Sequence, residues 1–448
     1  VVAFLVYIPS NIVKYFPNNP MKIHLKALGC RLNEAELEQW SNRFQQAGHH
    51  ITSTPELADV VVLNSCAVTT EATAKSRRLL NRLYRDNPQV RLVVSGCYAT
   101  LQPDEAANIM GVDLVVPNAT KDSLPEQVME RFEVPTMPLL ATEPGENTLF
   151  MRGRQRAFIK IQDGCRYRCT FCIVTVARGE ERSRTEAEII EEINQLHSQG
   201  IQEIVLTGVH VGGYGSDLDS SLYELVQKIL AETTIPRVRF ASVEPWDLPE
   251  GFFELFSNPR LMPHMHLPIQ SGADSVLRRM ARRCKTTEFK ALVDKARTYN
   301  PLFNITTDII VGFPGETESE WQETLAFVQG IDFGHIHIFS YSAREGTKAA
   351  RLPEPVPEAI KKQRSQVLHK IAEQQKIAWL QQQHNHVVEV LWEQPQARDG
   401  KLIYTGYTPN YCRVELITDT VGLENTITRT RLSTHPTEAG LLSGVLEA

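Results

Sequence analysis

The sequence has no apolar stretch long enough to cross a bilayer. Its longest leading run, VVAFLVYI at positions 1–8, falls far short of the roughly 20 residues a membrane helix needs. No basic segment precedes it and no small-residue cleavage site follows, so it does not read as a secretory signal. The first methionine is Met21, where patterned sequence begins, and residues 1–20 are expected to be an extension outside the fold. Positive charge is in short supply: 47 Lys and Arg against 53 Asp and Glu leave a net charge of -6. Bulk electrostatics therefore announce no nucleic-acid partner, and any such partner needs local basic patches. Internal repeats and low-complexity tracts are absent. Nothing points to secretion, so the eight cysteines are not expected to form a disulfide framework, and the expected compartment is the cytoplasm.

What is present suits a multidomain α/β protein. A hydrophobic content of 42% suffices for a sizeable core, and 448 residues suggest two to four domains. Short β-branched runs at 22–28, 60–64 and 91–96 alternate with helical patterns at 34–48 and 72–87, predicting βαβ units and an open parallel sheet over 21–132. Pro135, Pro138, Pro144 and Gly145 mark 133–150 as a linker. A second series has candidate strands at 156–162, 203–207, 237–241, 263–269, 303–311 and 333–340. Six βα units predict a partial barrel over 151–383, closing with a long polar helix at about 358–383. From 384 to 448, short strands separated by turn residues predict a small β-barrel.

Three cysteines crowd into one loop, Cys165-Arg-Tyr-Arg-Cys169-Thr-Phe-Cys172, directly after the strand pattern RAFIKIQ. Thiolates so spaced can take three corners of an iron–sulfur cube, leaving one iron open where four cysteines are usual. The competing reading is a structural zinc site, which normally closes with four ligands, often two C-x2-C pairs. Only one such pair exists here.

The C-x3-C-x2-C loop after the first strand of a βα barrel resembles the radical S-adenosylmethionine superfamily. The resemblance implies that the open iron binds the cofactor's amino and carboxylate groups. It also implies that one electron cleaves the cofactor to methionine and a 5′-deoxyadenosyl radical. Phe171 matches the family's aromatic position. The segment GVHVGG, including Gly208 and Gly212, resembles the glycine-rich turn that meets the cofactor's amino group. Ser242 and Glu244 end the third strand and are candidates for the ribose or methionine portion; a solvated loop carboxylate is the plainer reading of Glu244. Gln270 and His266 end the fourth strand; His266 reads equally as a core residue. Asp308 is costly to bury unpartnered within ITTDIIVGF, and Gly312 and Gly315 allow close approach to an adenine.

Cys30, Cys66 and Cys97 each follow a predicted strand of the first sheet. If those strands are adjacent and parallel, their thiols converge at the edge where such folds bind ligands. A single cysteine there would read as packing; three in one topological position read as a second cluster site. Asn33, in Leu28-Gly29-Cys30-Arg31-Leu32-Asn33, reads as a helix cap. Two cysteine trios in this order resemble the methylthiotransferase family, from about Met21 to the C-terminus. Cys284 and Cys412 match no family motif and read as structural.

That resemblance implies two 4Fe–4S clusters, S-adenosylmethionine, a reductant protein and a tRNA substrate, with no membrane association. It implies that the first-domain cluster carries the sulfur, that one cofactor methylates it, and that a second yields the radical that takes hydrogen from C2 of an adenine. The tail resembles a TRAM domain, an RNA-binding barrel, yet holds five Lys/Arg against eight Asp/Glu from 380 to 448. Denser basic groups are Lys75, Arg77, Arg78, Arg82, Arg85; Arg152, Arg154, Arg156; Arg166, Arg168; and Arg278, Arg279, Arg282, Arg283, Lys285. They are candidate phosphate contacts or solvated faces. Tyr404, Tyr407 and Tyr411 either stack on bases or pack in a core. The segments 27–33 and 206–214 look most like the branch that modifies threonylcarbamoyladenosine. Other branches act on isopentenyladenosine in tRNA or on a ribosomal-protein aspartate. Thr175 and Val176 depart from the proline and aromatic that many relatives carry.

Overall fold

The computed structural model describes residues 20–132, 155–398, 400–433 and 441–447. Most of the expected extension (1–19), the linker, and Arg152 and Arg154 lie outside the described residues.

The first sheet is wholly parallel. Its strands are β1 (Lys22–Ala27), β2 (His50–Ile51), β3 (Val60–Ser65), β4 (Arg91–Gly96) and β5 (Val112–Val116), in the order β2-β1-β3-β4-β5. Central β3 is buried along its whole length, as a strand covered on both faces must be. The helix Arg31–Gln46 lays Leu37, Trp40 and Phe44 on one face of that sheet. The sequence pattern missed β2 and β5, the first too short to show a period.

The second body is built on β6 (Arg156–Lys160), a β7 (Gln162–Asp163) and β8 (Arg182–Ser183) ribbon, β9 (Glu203–Thr207), β10 (Arg237–Phe240), β11 (His264–His266), β12 (Asn304–Val311) and β13 (His335–Ser340). Two parallel three-stranded sheets, β6-β9-β10 and β11-β12-β13, meet through the parallel bridges Val238–Leu261 and Ser242–His266. The result is the expected open array of six parallel strands. Intervening helices are locally well specified. At Glu186–Ser198, Thr185 and Glu188 form a reciprocal capping box, and Ile189, Ile193 and Leu196 recur at helical spacing to face the core. The long helix Glu358–Gln382 packs along the outer strand β13.

The third body is a closed barrel of β14 (Val387–Trp392), β16 (Lys401–Tyr407), β17 (Arg413–Thr418), β18 (Ile427–Ser433) and β19 (Leu442–Leu446), with β15 (Gln396–Arg398) extending β16. The strands run β14-β18-β19-β17-β16, and a β14–β16 pairing closes the ring. Trp392, Tyr404, Val414 and Leu442 fill its core.

This barrel docks on the six-stranded array through residues that begin strands: Arg156, Glu203, Arg237, His264 and Asn304 open β6, β9, β10, β11 and β12. Arg237 donates to the carbonyls of Tyr407 (3.0 Å) and Glu389 (2.9 Å), and Arg239 to that of Pro409 (3.0 Å). The Asn304 amide donates to Asn410 O (2.8 Å). Tyr407 and Tyr411 stack on each other beneath Arg156, Arg239 and His264, and Tyr404 is fully buried. Of the two readings of these tyrosines, packing is the one seen: Tyr404 lies in the barrel core, and Tyr407 and Tyr411 pack in the interface. No helix among the described residues is long and apolar enough to cross a membrane.

Candidate active site

In a parallel sheet all strands end on the same side. β1, β3 and β4 are neighbours, and Cys66 and Cys97 directly follow β3 and β4, while Cys30 follows β1 after a Leu-Gly turn. The three thiols converge closely enough to act electrostatically on one another. Gly29 makes the approach possible: a Cβ on it would stand 2.6 Å from Cys66 Sγ, and its φ of +96° belongs to glycine. Asn33 does not cap the helix, whose N-cap position is Cys30. Its amide instead donates to the carbonyls of Leu28 (2.7 Å) and Ser65 (3.2 Å), tying together the turns that carry Cys30 and Cys66. Burial raises the Cys30 thiol pKa and pushes Cys66 up to about 11. Cys30 is nonetheless open to solvent, while Cys66 and Cys97 are buried. Such thiols stay protonated until a metal displaces the proton. Three converging sulfurs with no fourth cysteine suit a metal cluster better than a mononuclear tetrahedral ion.

The second trio sits at the C-terminal end of β6. Cys165, Cys169 and Cys172 share one loop and likewise act on one another; burial pushes Cys165 to about 12 and Cys172 to about 11. Gln162 ties this loop to GVHVGG, accepting from the amides of Val209 (3.1 Å) and His210 (2.9 Å) and donating to Gly164 O (2.7 Å). Gly208 is a packing requirement, since a Cβ there would lie 2.9 Å from Gln162 Oε1; Gly212 packs likewise on Asp247. Phe171 packs with Phe313, Val276 and Met280, fixing the loop's far side.

Beside the loop lies a network that the sequence did not disclose. His210, wholly buried, bonds Glu181 through Nδ1 and Asp247 through Nε2 (2.6 Å), and Asp247 accepts from the Tyr167 hydroxyl (2.7 Å). Burial opposes charge on His210, but the Asp247 hydrogen bond and the Glu244 and Glu181 carboxylates outweigh it and raise its pKa. Glu244 faces Cys165 and Cys172, and burial raises its pKa. Its Oε2 is buried and has no hydrogen-bond partner, and its near cation is His210 Nε2 at 3.8 Å. An orphaned acceptor beside three thiols fits a ligand that brings donors or positive charge. Arg282 stands with Nη1 3.8 Å from Cys169 Sγ and lies over the Trp246 ring.

The remaining expected residues are placed as follows. Ser242 is exposed and bridges to His266. Gln270, at a φ of +82°, exchanges backbone bonds with β12. Asp308 pairs with His266 (3.1 Å), whose Nδ1 meets Thr306 Oγ1 (2.9 Å). Where a Gly312 Cβ would stand, the Lys361 stem fills the space. Of the basic groups, Lys75, Arg77, Arg82, Arg85, Arg168 and Arg279 are paired with carboxylates, and Arg156 is in the barrel interface. Cys284 and Cys412 are buried in hydrophobic cores, away from both trios.

A buried junction joins the two trios. Arg178 ends the short helix Val174–Arg178 that continues the Cys165–Cys172 loop. It donates to Asn33 Oδ1 (2.8 Å), Glu36 Oε1 (2.9 Å) and Asp163 Oδ1 (3.0 Å). Lys121 and Lys160 complete the set around Glu36 and Asp163. Asn118 donates to Ala177 O (2.7 Å) and lies 3.9 Å from Cys97 Sγ. The strand ends of the two sheets therefore face each other across this junction.

Comparison with known proteins agrees with this division. Residues 159–328 match the Radical SAM superfamily, and residues 22–117 match the uncharacterized protein family UPF0004. The threonylcarbamoyladenosine tRNA methylthiotransferase MtaB of Thermotoga maritima is 36% identical over 407 residues, covering 89% of this chain and 92% of that protein. MtaB of Bacillus subtilis is 35% identical, covering 86% and 88%. The chain belongs to the radical S-adenosylmethionine methylthiotransferase family. The tRNA-2-methylthio-N(6)-dimethylallyladenosine synthase of Bacillus subtilis is 34% identical, covering 86% of this chain and 79% of that protein. A solved radical S-adenosylmethionine methyltransferase, TsrM of Kitasatospora setae, aligns with a TM-score of 0.54 at 13% identity over 74% of each chain, which shows a shared fold. As a radical S-adenosylmethionine transferase, this methylthiotransferase uses a 4Fe–4S cluster and S-adenosylmethionine. The Cys165, Cys169 and Cys172 trio, with the orphaned Glu244 oxygen beside it, fits both.

Proposed function

We propose that this chain converts N6-threonylcarbamoyladenosine in tRNA to its 2-methylthio derivative. The carrying observation is near full-length similarity to methylthiotransferases named for that nucleoside, on a chain with two separate, converging thiol trios. Cys165, Cys169 and Cys172 hold the radical cluster, and Cys30, Cys66 and Cys97 hold a second 4Fe–4S cluster that carries the sulfur. Bound S-adenosylmethionine supplies, on one-electron reduction by a donor protein, a radical able to take the hydrogen from an aromatic carbon that no side-chain base could deprotonate.

The chain's own residues bind and orient. Glu244 would meet the methionine portion of the cofactor, with Gly208, Gly212, Ser242, Gln270, Asp308 and Gly312 around the same strand ends. His210 and Asp247 hold Tyr167, and with it the cysteine loop, in place. Arg283, exposed over the Tyr167 ring, is the phosphate contact nearest the site.

Nucleoside mass spectrometry of tRNA from cells with and without the gene tests the reading. Loss of 2-methylthio-N6-threonylcarbamoyladenosine is expected. Loss of the methylthiolated isopentenyl nucleoside instead would favour the alternative raised by the 34%-identical relatives. Anaerobic protein that releases no 5′-deoxyadenosine with S-adenosylmethionine and dithionite would reduce the chain to an RNA-binding iron–sulfur protein.

A further inference from the structure

The junction between the two sheets contains a positive charge that its buried carboxylates do not balance. Lys121, Lys160 and Arg178 are positive, and Glu36 and Asp163 are negative; all five side chains are at most 7% exposed. Asp122 reaches Lys160 at 3.5 Å, but it is 69% exposed and screened by water. One buried positive charge is therefore left over. An uncompensated buried charge is costly, and such groups are retained where a counter-charge is held.

Geometry shows where the surplus points. The two lysines and the two carboxylates can balance each other, and Arg178 is the member that reaches past them. Its Nη2 donates to Asn33 Oδ1, which lies 3.6 Å from Cys30 Sγ. Those two contacts hold the guanidinium within roughly 6 Å of the sulfur, where a charge acts strongly through protein. Asn33 meanwhile fastens the Cys30 and Cys66 turns. Arg178 belongs to the other domain's cysteine loop, six residues beyond Cys172, at most about 20 Å of chain. A cube with three thiolates carries a net negative charge, the counter-charge this surplus lacks.

We propose that Arg178 is a positioning residue that completes the second cluster's site from the radical domain. It balances the charge of the Cys30, Cys66 and Cys97 cluster and sets how readily that cluster accepts an electron. The proposal rests on the second cluster assigned above. It makes that site an interdomain one, and it ties the two cysteine loops together through a single side chain.

The test uses full-length protein in which Cys165, Cys169 and Cys172 are all replaced by Ala, so that only the second cluster is read. Reconstituted protein is assayed for iron and sulfide, and its midpoint potential is measured by redox titration followed by electron paramagnetic resonance. The parent should hold about four irons. Near-zero iron in this parent would sink the second cluster and the proposal with it, before any Arg178 variant is examined. In Arg178→Met the remaining four charges still pair, so the junction keeps a neutral network. Its cluster should titrate at a more negative potential than the parent's, and Arg178→Lys should lie close to the parent. A Met variant with unchanged or more positive potential overturns the proposal. If the Met variant loses its iron, retention by Arg178→Lys at the parent's potential supports the role of charge. Equal loss from both variants overturns it, leaving Arg178 a packing residue.

Discussion

At the scale of single residues, the geometry around Gly29 separates the two cysteine sites. Its α-carbon lies against the Cys66 side chain, and its backbone has a φ of +96°. Gly29→Ala therefore places a methyl on the sulfur and strains the turn, at a cost of about 1–3 kcal/mol. The expected outcome is loss of the Cys30, Cys66 and Cys97 cluster with the other trio intact. Iron should fall from roughly eight to roughly four per chain. Cofactor cleavage to 5′-deoxyadenosine should persist while methylthio transfer disappears. Cys66→Ala should do the same without strain, so the pair of variants tells cluster loss from misfolding. A fall to near zero iron in both would mean that the two sites cannot be separated. His210 makes the complementary case. His210→Ala removes the bond that fixes Asp247 and Tyr167 beside Cys165, and cleavage should fall tenfold or more while the first-domain cluster is retained. Iron analysis and 5′-deoxyadenosine yield check both. The cysteines were legible in the sequence because spacing and strand ends mark them. Glu36, Lys160, Asp163 and Arg178 were not, because each is a surface-type residue on a different element and only the tertiary junction makes them one group.

At the scale of elements, the helix Glu318–Gln329 shows how one carboxylate can serve two structures. Glu320 caps its own helix with Thr317 and takes both guanidinium nitrogens of Arg279 at 2.7 Å. Arg279 and Met280 in turn receive the Thr170 side chain and amide through their carbonyls, so the pair braces the cysteine loop. The Arg279 hydrogen bond holds the Glu320 pKa at about 2, against an ordinary value of 4.5. Because the folded pKa is depressed, the stabilisation is complete above about pH 4.5 and is lost as pH falls through about 2. Arg279 is a third exposed, so the shift is discounted for solvent to about 1–2 kcal/mol. Glu320→Gln should unfold at lower urea than the parent by that amount near neutrality, and the gap should shrink as pH drops below 4.5. A gap that stays constant to pH 3 would remove the ion pair as its source. Patterning revealed such elements unevenly. Long helices were evident, Glu186–Ser198 from its capping box and apolar spacing and Glu358–Gln382 from its length after a proline-rich stop. The strand Ile427–Ser433 was not, because ITRTRLS gains its partners only when the barrel closes.

At the scale of the whole molecule, the small barrel and the Cys165–Cys172 loop sit at opposite ends of the same six strands. The residues that hold the barrel begin strands, and Cys165 follows the end of one. The interface centres on Glu203, fully buried and surrounded by Arg156, Arg239 at 3.1 Å and Arg237 at 3.8 Å. One carboxylate thus anchors three arginines: Arg237 and Arg239 give spare donors to carbonyls of the barrel, and Arg156 lies over its Tyr407 and Tyr411 rings. Burial acts against Arg237, pushing it down to about 10, and the Glu203 carboxylate opposes that shift. Glu203→Gln leaves three buried guanidinium groups without an anion, a change that typically costs about 3–5 kcal/mol. The interface should loosen before either core melts, because the barrel keeps its own centre around Trp392 and Tyr404. Two measurements follow. Limited proteolysis should cut the variant near the helix–barrel connection around residue 384, releasing the C-terminal piece. Cleavage of S-adenosylmethionine without tRNA should stay within about twofold of the parent, since the strand ends bearing both cysteine trios are remote from the change. If the barrel supplies RNA contacts, turnover with tRNA should fall much further and lose part of its dependence on salt, as released phosphate contacts would dictate. Equal losses with and without tRNA would instead mean that the interface supports the radical site through the strands themselves, and the barrel's part in holding RNA would have to be given up.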